Sequence, residues 1–465
     1  MSSPTQIGES SFAPEQNNSW PAHIRATLAL GLPLIGAQLA QMLMGVTDTL
    51  MLGWLGTEAL AATVLGTNIL FVLMITGFGF GTAVGALAAG AQGAGDVRAV
   101  RRMVRMGMWV SLAYAALVMP IMFFTEEILI AIGQDPDLSA VADSYLTIAR
   151  WSLVPNLLIL VLRSFLSVLS RAGVVLIFTL GAAALNAMLN YALIFGNWGA
   201  PALGVEGAAW ATLGSSTLSL LLLVVYVIRH KAVRKYEVMV RFWRADWPAF
   251  MEVLVVGWPI GLTLLAEVGL FSFSAVMMGW FGKIPLAAHG IALQLASVSF
   301  MIPLGLSQAA TVRIGIARGR KDRLGVQRAG QVILLMGGGI SLLAAALFVI
   351  IPETLIGLFQ DAANPETAAV LAYGVPLMAV AGAFQLVDSI QVMAAGLLRG
   401  LKDTRVPMYF AMISYWIIGV PCAYLLSQYT ALEGVGIWLG LATGLTVASV
   451  LGLWRYGMRE RLGLV

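Results

Sequence analysis

The sequence predicts an all-α membrane protein: twelve transmembrane helices in two pseudo-symmetric lobes of six, with both termini cytoplasmic. Three observations predict it. Of 465 residues, 59% are hydrophobic and only 11% are charged, whereas soluble domains carry about 25% charged residues. Apolar runs of membrane-crossing length recur along the whole chain, and the second half repeats the first at a fixed offset.

If one membrane helix needs about 20 apolar residues, a chain of this length holds on the order of twelve with short connections. Little is left for an extramembrane domain. The 50 glycines suit helices that approach closely in a bilayer. Residues 1–25 are polar at the start, with no basic leader followed by an apolar core, and read as a cytoplasmic tail rather than a signal peptide. Helices 1 to 6 are expected at 26–52, 59–88, 104–124, 142–168, 173–196 and 206–228, forming an N-lobe over 26–228. A basic cytoplasmic linker, 229–247, follows. Helices 7 to 12 are expected at 250–280, 285–312, 328–351, 367–398, 404–427 and 433–456, within a C-lobe over 248–465.

The basic clusters include Arg98 to Arg105, Arg163 with Arg171, Arg229 to Arg244, Arg313 to Arg328, and Arg399 with Lys402 and Arg405. Each follows an even-numbered helix. The opposite loops carry Glu58, Glu126, Glu127, Asp135, Glu206, Glu353, Asp361 and Glu433, with Lys283 as their one basic residue. By the positive-inside rule both ends lie in the cytoplasm, and the protein is multi-pass in the cell's inner (plasma) membrane. The net charge of +4 thus reports topology rather than a nucleic-acid partner. The single cysteine, Cys422, excludes a disulfide framework. No phosphate-binding loop, HExxH or GxSxG motif is present, so neither an enzyme nor a cofactor is expected. His23, His230 and His289 are too scattered for a metal cluster.

The repeat is the most informative feature. Subtracting 33 from 259, the positions of Pro33 and Pro259, gives an offset of 226 that holds without a gap from Gly31 to Arg102. It pairs Gly53-Trp54 with Gly279-Trp280, Gly79 with Gly305, Gly93 with Gly319 and Asp96 with Asp322. Further on, Phe165 to Val174 matches Leu397 to Val406 at 232. Six helices per half make the repeats parallel, as in carriers that work by alternating access. Pro33 and Pro259, matched across the halves, are possible hinges.

Three carboxylates stand inside apolar helices: Asp48 in helix 1, Glu267 in helix 7 and Asp388 in helix 10. Such groups are costly in lipid and mark ion or substrate pathways. No Arg is expected at comparable depth on those helices. At the two offsets Glu267 corresponds to Gln41, Asp48 to Ser274 and Asp388 to Asn156, so the lobes are alike in shape and unlike in charge. A Glu and Asp pair in a poorly hydrated pocket supplies oxygen ligands for Na+ and proton acceptors for H+. Asn186 and Asn190, spaced i, i+4 on helix 5, share one face and either hydrogen-bond Asp48 or pack as interhelical amides.

The runs PLIGAQLAQMLMGVTDTLMLGWLG from Pro33, LNAMLNYALIFG from Leu185, GVEGAAWAT from Gly204 and QVMAAGLLRGLKDTRVP from Gln391 resemble the multidrug and toxic compound extrusion (MATE) family, most closely its NorM-type branch. The resemblance covers nearly the whole chain. It implies exchange of cationic, often aromatic compounds for Na+ or H+. It also implies that Glu267 and Asp388 form a second-lobe cation site, and that Asp48, Asn186 and Asn190 form a first-lobe polar cluster. The expected partners are organic cations and the lipid bilayer, and the chain is expected to act as a monomer. The alternative is a related flippase for lipid-linked precursors or polysaccharide, whose cleft would be lined with Arg or Lys for phosphate.

Overall fold

The computed structural model describes residues 19–360 and 365–465. The expected tail up to residue 18, and Asp361, lie outside the described residues. Among those described, twelve helices are long and apolar enough to cross a membrane. They are α1 (Trp20–Leu55), α2 (Thr57–Gly93), α3 (Val97–Ala131), α4 (Pro136–Val168), α5 (Ala172–Phe195) and α6 (Val205–Arg229), then α7 (Trp247–Gly279), α8 (Lys283–Gly319), α9 (Arg323–Ile350), α10 (Thr367–Gly400), α11 (Arg405–Tyr429) and α12 (Glu433–Gly457).

Several ends differ from the sequence reading. Helix α1 starts at Trp20, six residues earlier than expected, because Ser19 is extended and Pro21 sits in the first turn, where its missing N–H is not needed. Helix α3 runs on to Ala131 through a tight 3₁₀ stretch, Met119–Phe124, that begins around Pro120. Helix α11 contains a π-helical segment, Ile413–Gly419, just before Pro421. Proline has no N–H for the preceding turn, and the wider π turn absorbs that mismatch.

The repeat is visible in backbone detail. Asp96 and Asp322 cap α3 and α9 with nearly identical angles (φ −87°, ψ 89° and φ −88°, ψ 89°), accepting from Ala99 N at 2.9 Å and Gly325 N at 2.8 Å. Ser170 and Lys402, matched at the 232 offset, both adopt left-handed φ, 59° and 60°.

The lobes meet through α1 and α2 against α7 and α8, and the contacts are reciprocal. Gly93 of α2 lies against the Ile316 carbonyl of α8, and Gly319 of α8 lies against the Gly90 carbonyl of α2, leaving no room for a Cβ at either glycine. Gly79 packs on Gly257 and Gly261, while Gly305 packs on Ile35. All of these lie in the halves of the helices nearest the side where α1 and α7 begin, here the termini side. In the other halves, a Cβ added at Gly45, Gly279 or Gly290 meets nothing within 4 Å.

Polar locks add to the closure on the termini side. Arg313 of α8 donates to the His23 carbonyl of α1 at 2.9 Å and to Thr27 Oγ1. Arg102 of α3 pairs bidentately with Asp246, whose carboxylate also caps α7 through Ala249 N at 3.3 Å. The Arg102 guanidinium holds the Asp246 carboxyl below the ordinary aspartate range.

Candidate functional site

The candidate residues fall into two centres, one per lobe. In the C-lobe, Glu267 stands on α7 and Asp388 on α10, the latter only 4% exposed. They are electrostatic neighbours of each other and of Tyr415. The π segment of α11 carries Tyr415 into the same core as Phe384 and Trp438. On α10 and α11, Asp388 Oδ1, Gln385 Oε1, Tyr415 Oη and Ser414 Oγ are buried without a hydrogen-bond partner among the described residues. A buried polar atom left unpaired costs about 1–3 kcal/mol. Asp388 and Glu267, with the Tyr415 hydroxyl as their electrostatic neighbour, are groups that can hold a cation or a proton.

Two Arg side chains nonetheless reach inward from other positions, one at the end of α10 and one on α4. Arg399, further along α10, interacts electrostatically with Glu267 and donates to the Ala395 carbonyl at 3.2 Å. Arg163, which the sequence groups with Arg171 as a loop cation, is inside α4. It donates to Gln41 Oε1 at 3.0 Å and reaches Gln38 at 3.5 Å. Helix α4 ends at Val168, as the sequence reading expects, so Arg163 lies more than a turn inside it and is not a loop residue. The i, i+7 spacing of Asn156 and Arg163 was the available signal. Gln41 and Asn156 do not form a neutral copy of the carboxylate pair. Gln41 serves Arg163, and Asn156 turns back to the Ser152 carbonyl at 2.9 Å. Arg163 also lines a cavity of about 50 Å³ between N-lobe helices and α8, large enough for a water.

The N-lobe centre joins Asp48 to α5. Asn190 Nδ2 donates to Asp48 Oδ1 at 2.5 Å and approaches Asn186 Oδ1 at 3.2 Å, and both asparagines are fully buried. Of the two readings open in the sequence, the hydrogen bond to Asp48 is made by Asn190, whereas Asn186 accepts from Asn190. Tyr145 of α4 lies within electrostatic reach of Asp48, a neighbour that the sequence gave no sign of. Ser274, the repeat partner of Asp48, is tied to α8 instead: Trp438 Nε1 donates to His289 Nδ1 at 3.1 Å, and the other ring nitrogen lies 3.4 Å from Ser274 Oγ. Accepting from Trp438 at Nδ1 fixes His289 as the Nε2–H tautomer. Removing Asn190 strands a carboxylate, so Asn190→Ala should lower unfolding stability by about 1–3 kcal/mol. Thermal melting in detergent reads this as a lower midpoint, and an unchanged midpoint would show that Asp48 does not depend on that bond.

Pro33 and Pro259 both lie inside continuous helices at the level of the interlobe contact, next to Gly31 and Gly257. Two parallel six-helix repeats with buried charged centres on their inner helices define an integral membrane transporter. The comparisons narrow this class. The sequence profile of the family described as MatE matches twice, over residues 33–192 and 259–425, beginning at the two matched prolines. A relative from Rhizobium meliloti (strain 1021), a probable multidrug resistance protein NorM, is 51% identical over 442 residues, covering 95% of each chain. Among solved structures, an outward-facing conformation of a MATE multidrug resistance transporter of the MOP superfamily superposes with a TM-score of 0.87 at 19% identity, covering 98% of this chain and 99% of that one. A MOP superfamily transporter from Pyrococcus furiosus, whose reversed binding-pocket polarity suggests a different function, gives 0.85 at 19% identity, covering 98% and 99%. The chain belongs to the MATE family of multidrug efflux transporters.

Proposed function

We propose that this protein exports cationic, often aromatic compounds from the cytoplasm in exchange for Na+ or H+. Coupling ion and substrate compete for a cleft made electronegative by Glu267, Asp388 and Asp48. The observation that carries the reading is the C-lobe pair, two neighbouring carboxylates in which Asp388 Oδ1, and the Tyr415 hydroxyl near them, are buried without a hydrogen-bond partner among the described residues. Among the described residues no three His, Cys, Asp or Glu side chains converge. A Na+ held by Glu267 and Asp388 would therefore complete its oxygen shell from neutral groups such as Gln385 and Tyr415. Protonation of the same pair would satisfy the same oxygens through hydroxyl donors.

With both termini in the cytoplasm, lobes closed on the termini side leave the substrate path open outward. Return to the inward state requires the interlobe contact to part, with Pro33 and Pro259 as hinges. Exchange follows if the ion favours one state and the substrate the other, since a ligand that binds both equally shifts nothing. The flippase reading would assign Arg163 and Arg399 to a phosphate. Both are already engaged, Arg163 by Gln41 and Gln38 and Arg399 beside Glu267, which favours antiport.

The test is export of a fluorescent cationic dye from proteoliposomes under separate Na+ and pH gradients. One gradient alone should move the dye and thereby identify the ion. Failure of both gradients with folded protein would overturn the antiport reading in favour of the flippase.

A further inference from the structure

A second charged site lies away from the carboxylates, on the termini side. Here α3 and the linker after α6 enclose a pocket of about 840 Å³ whose walls include Arg98, Arg101, Arg102, Arg105, Arg241 and Arg244. The local sequence explains why the linker stays there. Arg101, Arg105 and Trp109, spaced i, i+4, i+8 along one face of α3, donate to the linker carbonyls of Tyr236 at 2.7 Å, Arg241 at 3.2 Å and Phe242 at 3.0 Å. The strap is thus held by backbone acceptors, and the arginines converge without neutralising one another. Two carboxylates also line the pocket, and both are engaged: Glu237 by Arg101 at 2.7 Å, and Asp246 by Arg102. Among the described residues, Arg98, Arg105, Arg241 and Arg244 make no ion pair. Arg105 is only 8% exposed, and its Nε has no hydrogen-bond partner.

Four uncompensated guanidinium groups around one concavity call for an oxyanion. The surroundings say where that anion comes from. Val240, Trp243 and Trp247 are 51%, 78% and 63% exposed beside the arginines, and the pocket opens where α3 and α7 start to span the membrane. Exposed tryptophans at that level belong to the headgroup boundary, and basic pockets there suit acidic lipid headgroups. We propose that this pocket binds the phosphate of an anionic phospholipid, with Val240, Trp243 and Trp247 against the acyl region. Because α3 belongs to the N-lobe and Asp246 caps the first helix of the C-lobe, a lipid phosphate held among these groups stabilises the state closed on the termini side.

The proposal is tested on the purified full-length protein in neutral detergent. Soluble dihexanoyl-phosphatidylglycerol should raise the thermal midpoint, while dihexanoyl-phosphatidylcholine and inorganic phosphate at equal concentration should not. The rise should shrink with added salt. It should be lost in Arg98→Gln/Arg244→Gln, two side chains that make no hydrogen bond or ion pair among the described residues, and kept in Arg320→Gln/Lys321→Gln, a basic pair elsewhere on the same side. If that double variant is poorly folded, single Arg98→Gln should still weaken the response. An equal rise in the pocket variants, or loss in the control pair as well, would overturn the site. A full rise with inorganic phosphate would overturn the lipid assignment.

Discussion

Replacing Glu267 by Gln, or Asp388 by Asn, should reduce gradient-driven dye export to the level of empty liposomes while the protein remains folded. Both substitutions keep the side chain's size and remove its charge. Asp388 is 4% exposed and Oδ1 already lacks a partner, so neutralising it breaks no described hydrogen bond at that atom. Destabilisation should therefore be small, whereas the site would lose the group that distinguishes ion from water. The size of the effect follows from the driving force. Each coupling charge moving inward in excess of the charge exported gains about 2.3 kcal/mol per 100 mV, which supports a roughly fiftyfold substrate gradient. Loss of the ion site forfeits that gain and the chemical gradient together. The measurement is initial dye flux in proteoliposomes, normalised to folded protein by melting midpoint. Wild-type flux in both variants would remove the C-lobe pair from the coupling reaction.

The architecture was legible because its determinants are periodic or repeated. Apolar length gave twelve spans and the 226 offset gave two related halves, and the structure adds contacts reciprocal under that offset, Gly79 with Gly261 and Gly305 with Ile35. Asp48 with Asn190, and Glu267 with Asp388, could be singled out because charge and amide are rare in lipid-spanning helices. What escaped depends on helix irregularity and on cross-helix register. Arg163 groups with Arg171 as a basic cluster although it falls within the expected helix 4; its turn toward Gln41 and Gln38 of α1 depends on a cross-helix register that the sequence does not show. Tyr415 gives no signal, since its place next to Asp388 and Glu267 depends on a π segment that one proline downstream only hints at. The equivalence of Gln41 and Asn156 to Glu267 and Asp388 held along the chain but not in hydrogen bonding, because Arg163 has no Arg at its repeat position, Ala395.

The second large effect concerns the contact that closes the termini side. Gly93→Leu should shift the protein away from the closed arrangement, because the new side chain must occupy the space of the Ile316 carbonyl. Gly319→Leu should do the same from the opposite lobe against the Gly90 carbonyl, since the two contacts are related by the repeat. The obstacle in each case is backbone, which cannot rotate away as a flexible side chain would. Overpacking of this kind costs about 1–3 kcal/mol, and a bias of that size changes a two-state ratio by roughly 5- to 150-fold. Spin labels at Ala94→Cys and Arg323→Cys, in a background with Cys422 replaced, would report the separation of the lobes at this end. Both variants should lengthen the distance distribution. Gly45→Leu, in the half of α1 where an added Cβ meets nothing, should leave it unchanged. If the distributions for Gly93→Leu and Gly319→Leu match the parent, the strain has been absorbed by bending within α2 or α8. In that case the lobes do not part at this contact, and the alternating movement must be sought elsewhere, with Pro33 and Pro259 no longer placed to act as its hinges.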